Sequence, residues 1–373
     1  MTILITTEQF PPLKSGIATV VSELAKALSD LGHIITIATA KRPERNPSDY
    51  PHLTIREFDI RGGFGNFYRG ETQSYVDFVL NATYDVIINE CVQTWNSDLL
   101  FPYLSKIKGV KILHSHGLSL YRAKSKNPWA KLKALFYYRT LIHHLNQYDK
   151  VMVLSLVASE IPYFKRHHFN NFEILPNGVP LELIAQEAKT ISDTPLLLSI
   201  SNFFPMKNQE LILKAFYLTH SSAPLVFIGS KELHGYLDTL KQLKHSLDSL
   251  YGRRDVRFYT ELSRKETLDY LNRATLFLHG SKLEAFPMVI LEAMATATPW
   301  ICTNVGNVEE LSGGIIIDSA EEMAKAIDTL LNDKQFYSHY SNEALSSIHN
   351  TYDYKSICFA LEKKLLTLHG IKS

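Results

Sequence analysis

Short apolar runs punctuate this chain at near-regular intervals, each followed by an amphipathic stretch, and no other feature constrains its folding so tightly. A first series reads Ile3–Thr6, Ile34–Thr39, Thr54–Phe58, Val86–Asn89, Lys111–His114 and Val151–Leu154. A second reads Leu196–Ile200, Leu225–Ile228, Val256–Tyr259, Thr275–Leu278, Trp300–Cys302 and Gly314–Ile317. Runs this short and apolar suit strands buried on both faces, and the stretches between them suit covering helices. The pattern predicts an α/β class built on parallel sheets. The helix after the first strand is the clearest. Ile17, Val20, Val21, Leu24, Ala25 and Leu28 share one face, and Gly32 stands where a C-terminal cap belongs.

A chain of 373 residues is long enough for two domains. The polar, weakly periodic stretch Leu181–Pro195 separates the two strand series, which places the boundary there. Residues 1–183 are expected to form the first domain and 190–353 the second. Asp353–Leu368 reads as a last helix. Arg61–Gly70, with its glycines and with Phe64, Phe67 and Tyr68, reads as a mobile surface loop. A formal charge of +1 argues against a polyanion binder, so no nucleic-acid partner is expected. Cys91, Cys302 and Cys358 are scattered and odd in number, which fits a reducing compartment and no zinc site. The start lacks a basic leader and no apolar run reaches membrane-span length, so a cytoplasmic location is expected.

The most informative segment for chemistry is Ser281–Ala295. The apolar run Ala274–His279 delivers Glu284 into a loop, Pro287 suits a helix start, and Glu292 falls on the second helical turn. Free N–H groups at such a start can hold an anion, and two carboxylates can accept from sugar hydroxyls. A helix start that merely favours glutamate electrostatically would look similar. The edge position after a parallel strand favours the ligand reading.

Asn202 and Lys207 lie in the loop after the first strand of the second series, where a lysine can neutralise a diphosphate. Pro11–Gly16 joins the first strand to its helix, and Gly16 would admit a ligand close to the backbone, although a tight turn explains one glycine equally well. His114 and His116 end another strand; a histidine there can bond a ligand or stabilise charge. No further metal ligand stands near them in sequence, which argues against zinc. Between Leu99 and Tyr148 there is no acidic residue, yet Lys106, Lys108, Lys111, Arg122, Lys124, Lys126, Lys131, Lys133 and Arg139 occur there among Trp129, Leu132, Leu135, Phe136 and Tyr138. That composition suits an anionic membrane surface or acceptor, and equally a solvated helix with one core-facing side. A P-loop, a His-Glu-x-x-His motif, a Gly-x-Ser-x-Gly elbow and an Asp-x-Asp pair are all absent.

Taken together these segments resemble glycosyltransferase family 4, the retaining nucleotide-sugar enzymes of the GT-B fold. The strongest match is Glu284–Glu292 with its Phe286-Pro287-Met288-Val289 and Glu292-Ala293-Met294-Ala295 surroundings. Leu175–Val179, Pro11-Pro12 with Gly16, His116-Gly117, Leu278–Ser281 and Thr303–Gly306 followed by Glu310 also fit, in the correct order along nearly the whole chain. The resemblance implies two Rossmann-like domains with parallel sheets facing across a cleft, the segment 354–373 crossing back to complete the first. It implies transfer of a hexose from a UDP- or GDP-sugar to an acceptor hydroxyl, with no essential metal and by a front-face path. Glu284 would contact the transferred sugar, Glu292 the ribose, and Lys207 the diphosphate. Backbone groups at Phe286, Met288 and Val289 would line the donor pocket, His116 would reach the sugar, and Gly16 would face the phosphates. The acceptor would be a glycan or lipid-linked intermediate of surface polysaccharide or glycolipid synthesis, at the inner face of the membrane. The chain departs from the family pattern at Asn202, where arginine is usual, and at Ser15, Lys231, Ala285 and Asn307, where glycine is usual. Those departures motivate an alternative, a catalytically silent relative that binds a sugar or a partner enzyme; a sugar-nucleotide epimerase of the same fold is a third possibility that fits the last-third motif less well.

Overall fold

The computed structural model describes residues 1–13, 15–64, 67–119, 128–230 and 232–370. Arg122, Lys124, Lys126 and Lys231 therefore lie outside the described residues. The chain divides into two compact units, Met1–Asn177 with the segment from Tyr354 onward, and Gly178–Asp353. The division falls at Asn177, ahead of the polar stretch Leu181–Pro195, because Val179 already donates to Tyr352 O at 2.8 Å within the second unit.

The first unit holds a seven-stranded parallel sheet. Its strands are β1 (Thr2–Thr7), β2 (Ile34–Ala40), β3 (Leu53–Phe58), β4 (Val86–Glu90), β5 (Val110–Ser115), β6 (Lys150–Val153) and β7 (Phe172–Ile174), in the order β3-β2-β1-β4-β5-β6-β7. Successive side chains point to opposite faces, so Ile3 and Ile5 enter one layer and Leu4 the other. On one face Val21, Leu24 and Leu28 of helix Gly16–Asp30 pack beside Ile357, Leu361 and Leu365 of the last helix, Tyr354–His369. Each of these fully buried leucines contributes about 1.5–3 kcal/mol. A 2.9 Å pair between His33 and Glu362 pins that helix at its side. The other face carries Tyr75, Trp95, Leu141 and Leu145.

The second unit holds six parallel strands: β8 (Leu197–Ile200), β9 (Leu225–Ile228), β10 (Val256–Tyr259), β11 (Leu276–His279), β12 (Trp300–Thr303) and β13 (Gly314–Ile317), in the order β10-β9-β8-β11-β12-β13. Helices Gln209–Leu218 and Ala320–Asn332 cover one face through Ile212, Leu213, Phe216, Met323, Ile327 and Leu330.

Two elements differ from expectation. β7 is short, with Phe172 and Glu173 half-buried and Ile174 exposed because it closes the sheet edge, so it carries no apolar run. Arg61–Gly70 is not wholly loop: Ile60–Arg61 pairs antiparallel with Arg69–Gly70. Each sheet reverses its strand order once, between β1 and β4 and between β8 and β11. Open α/β sheets bind ligands outside the carboxyl ends of the strands that flank such a reversal.

Candidate active site

β8 and β11 flank the reversal of the second sheet, and the loops leaving their carboxyl ends carry Lys207 and Glu284. The loops are laced together. Lys282 N–H donates to Met206 O at 2.9 Å, and the Ser281 hydroxyl donates to the same carbonyl at 3.3 Å. Gly280 permits this approach, since a Cβ there would stand 2.9 Å from Asn208 O. Gly306, at φ +58°, supports the Glu284 loop from behind; a Cβ would meet Ala285 O at 2.8 Å. The outcome is a direct pair, Lys207 Nζ donating to Glu284 Oε1 at 2.6 Å. His279, the last residue of β11, places Nε2 2.9 Å from the same oxygen. Burial alone would raise the Glu284 carboxyl, but hydrogen bonding to His279 and the Lys207 charge outweigh it and hold the group at about 2. Both partners keep a face to solvent, Lys207 with 26% and Glu284 with 15% of the side chain exposed.

Pro287 stands at the N-cap, one position before helix Met288–Ala295, and no side chain caps that helix. Met288 and Val289 are half-buried there. The Phe286 ring is buried edge-on against Tyr352, centroids 6.1 Å apart, which leaves only its backbone for a ligand. Glu292 is buried on the second turn and receives a forked bond from Arg264, Nη2 to Oε1 at 2.5 Å and Nη1 to Oε2 at 3.3 Å. Asn202 accepts from the Ser230 hydroxyl at 3.2 Å through its side chain and from Gln209 Nε2 at 2.9 Å through its carbonyl.

Gly16 opens helix Gly16–Asp30 at the carboxyl end of β1, and the Ser15 hydroxyl caps that helix by accepting from Ala18 N–H at 3.1 Å. His116 is half-buried as a residue with its side chain 4% exposed, and its Nε2 lies 2.7 Å from Glu90 Oε2. His114, which pairs in register with Glu90 on the neighbouring strand, places Nδ1 3.0 Å from that same oxygen. The isolation of the two histidines expected from sequence is thus corrected: the fold brings Glu90 to them, making a set of three potential metal donors. The 2.7 Å contact from His116 is a hydrogen bond and the 3.0 Å contact from His114 an ion-pair distance, while His114 Nε2 and Glu90 Oε1 are buried without a hydrogen-bond partner. Burial acts to raise Glu90, and the two histidines overcome it and hold the group at about 2. Burial, together with His114, lowers His116 below the ordinary histidine value. A second buried carboxylate, Glu160, accepts from Ser115 Oγ and from Gly117 N–H, bracketing the His116 turn on both sides.

His279, Arg264 and Glu90 carry these pairs and were not foreseen as site residues. His279 had a signal, a polar residue closing an apolar run five positions before Glu284. Arg264 and Glu90 had none, because their partnerships depend on which strand or helix lies alongside.

Residues 14–183 match the family model described as Glycosyltransferase Family 4, and residues 182–346 match Glycosyl transferases group 1. Among curated relatives, the mouse GDP-Man:Man(3)GlcNAc(2)-PP-Dol alpha-1,2-mannosyltransferase is 30% identical over 48% of this chain and 39% of its own length. The Campylobacter jejuni N-acetylgalactosamine-N,N'-diacetylbacillosaminyl-diphospho-undecaprenol 4-alpha-N-acetylgalactosaminyltransferase is 27% identical over 46% of this chain and 47% of its own length. The chain spans about half the length of the curated relatives it matches. The crystal structure of Anabaena HepE with UDP-glucose shares the fold at a TM-score of 0.74 and 18% identity, covering 98% of this chain and all of that one.

Proposed function

The chain belongs to glycosyltransferase family 4, a family of retaining enzymes with the GT-B fold, and from that premise we propose that it moves a hexose from a nucleoside-diphosphate sugar to an acceptor hydroxyl. One observation carries the reading: an ion-paired lysine and glutamate at the strand-order reversal of the second sheet, close in sequence to an uncapped helix start. In the free protein Lys207 is neutralised by Glu284. A donor diphosphate competes for that ammonium and adds the dipole of helix Met288–Ala295. Freed from Lys207, Glu284 keeps His279 and turns its open oxygen to the transferred sugar. Glu292, held by Arg264, accepts from the ribose. The amides of Met288 and Val289 and the backbone of Phe286 line the phosphate side, and Asn202 supplies a neutral contact. Charge building on the leaving phosphate is stabilised by Lys207 and the helix start, worth roughly several kcal/mol in such sites. No side chain is assigned as nucleophile, so the new bond forms on the face the leaving group departs from, which gives retention. His116 and Gly16 take the sugar- and phosphate-contacting roles of the family pattern.

The donor nucleoside is uridine or guanosine, as in the named structural neighbour and the mouse relative. The acceptor is a lipid-linked glycan intermediate of surface polysaccharide or glycolipid synthesis. Two relatives carry lipid diphosphates in their names, and the basic stretch 99–148 suits an anionic membrane face. No helix among the described residues is long and apolar enough to cross a membrane. A second reading, a silent binding relative, is favoured by Asn202, whose amide cannot make the forked phosphate contact of an arginine. Thermal-shift titration with UDP- and GDP-sugars, paired with a nucleotide-release assay, separates the two. The transferase raises its melting temperature with one nucleotide and releases it when acceptor is present. Binding without release establishes the silent reading, and no binding of any nucleotide refutes the donor site.

A further inference from the structure

The carboxyl ends of β4 and β5 bring three metal-ligating side chains to one point. Glu90 closes β4 and pairs in register with His114 on β5, and His116 follows where the chain leaves that strand. One ligand atom from each lies within 4.8 Å of the other two, and no other group of three His, Cys, Asp or Glu side chains among the described residues gathers in this way. Both imidazoles converge on a single carboxylate oxygen, Glu90 Oε2. The rest of the cluster lacks partners. Glu90 Oε1 and both ring nitrogens of His114 are buried and make no hydrogen bond. Orphaned polar atoms are rare in protein interiors, and three at one place call for an occupant. A proton does not suffice. Adding one to either ring or to the carboxyl still leaves Glu90 Oε1 with no hydrogen-bond partner. A divalent cation can take both carboxylate oxygens together with one lone pair from each imidazole.

We propose that Glu90, His114 and His116 form a zinc site. The donor set selects the ion. Two imidazole nitrogens and a carboxylate suit zinc, with ligands at about 2.0–2.2 Å, whereas calcium and magnesium are held by oxygen. The two rings, with centroids 4.3 Å apart and planes tilted by 52°, are not stacked, so small side-chain rotations turn a nitrogen of each toward a shared ion. The proton that His116 Nε2 shares with Glu90 leaves as the ion enters. Three protein ligands leave a fourth position for water, on the side of His116, the one member that is half-buried as a residue. The surrounding shell is built to match. Glu160 accepts from Ser115 Oγ and from Gly117 N–H, the residues on either side of His116, and so fixes the turn that carries the third ligand. Coordination through Nε2 leaves Nδ1 of His116 for the sugar contact assigned above. The ion ties the end of β4 to the turn after β5 and takes no part in the transfer step, so the site stands independently of the transferase reading. Counting ligands along the sequence reached only two; the register of β4 on β5 supplies the third.

The full chain, stripped with a chelator and dialysed, is titrated with zinc chloride by isothermal calorimetry and with cobalt chloride by visible absorption. One saturable zinc per chain is expected, with a rise in melting temperature. Cobalt is expected to give the visible bands of a four-coordinate ion with nitrogen and oxygen ligands. Glu90→Gln and His114→Gln remove one ligand each while keeping side-chain bulk. Each is expected to weaken zinc binding by more than about tenfold, since changes in the outer shell alone cost that much, and to abolish the cobalt bands. Circular dichroism checks that the variants are folded, and either one alone carries the test should the other misfold. Absence of saturable zinc binding by the parent chain overturns the proposal. So does zinc binding of unchanged strength in a folded variant, which would place the ion on exposed histidines such as His143 and His167.

Discussion

The carboxyl edges of the two sheets solve one electrostatic problem in opposite ways. Each gathers a carboxylate with cationic or ionisable partners beside a strand-order reversal. In the second unit the pair Lys207–Glu284 lies open, so water or a ligand can take either partner's place. In the first unit Glu90, His114 and His116 are sealed, with side-chain exposures of 0%, 2% and 4%. An open pair can exchange its partner for a substrate. A sealed triad fixes the orientation of its members. Partly exposed ion pairs add little to stability, whereas breaking a buried set leaves a group whose desolvation is uncompensated. The difference therefore predicts chemistry from the first kind of site and rigidity from the second.

The largest effects should fall on turnover at the open edge. Lys207→Ala, Glu284→Ala and Glu292→Ala are each expected to lower kcat by about 100-fold or more, with melting temperature little changed; steady-state assay with calorimetry checks this. Full activity in both Lys207→Ala and Glu292→Ala would break the comparison at once. The sealed edge should answer in stability instead. Glu90→Ala is expected to lose about 3 kcal/mol in urea unfolding, while Glu90→Gln, which keeps the shape, should lose less and retain donor binding.

Acid sharpens the contrast further. The folded Glu284 carboxyl sits at about 2, below its ordinary 4.5, so the folded state holds fewer protons there than the unfolded chain. Its contribution is complete above pH 4.5 and is lost as pH falls toward 2, and it is small because the pair is partly exposed. The urea midpoint should fall through that window, and Glu284→Gln should flatten the fall. The smallest effect is expected at Arg264, whose side chain is 55% exposed. Arg264→Ala should cost under about 1 kcal/mol and raise KM for the donor several-fold with kcat nearly intact, because it orients Glu292 and does not touch the reacting bond.

Sequence made the strands legible wherever burial on both faces forces an apolar run, as at Ile3–Thr6 and Leu225–Ile228. It was silent on β7, because an edge strand with Glu173 at its centre needs no such run. Glu284 and Glu292 were legible because strand, loop and helix fix their spacing within one segment. Their partners were not. Lys207 meets Glu284 only because β8 and β11 are neighbours, and Glu90 meets His114 only through the register of β4 on β5. The basic stretch was legible as composition alone. Which side of its helix faces outward depended on where the sheet lay, so the exposure of Trp129 and Phe136 emerged only with the fold.

A crystal soaked with UDP-glucose tests the central claim most directly. The account predicts the diphosphate within hydrogen-bond distance of Lys207 Nζ and the first amides of helix Met288–Ala295, with the 2.6 Å contact to Glu284 opened. A nucleotide bound elsewhere, with Lys207 and Glu284 still joined, would contradict it.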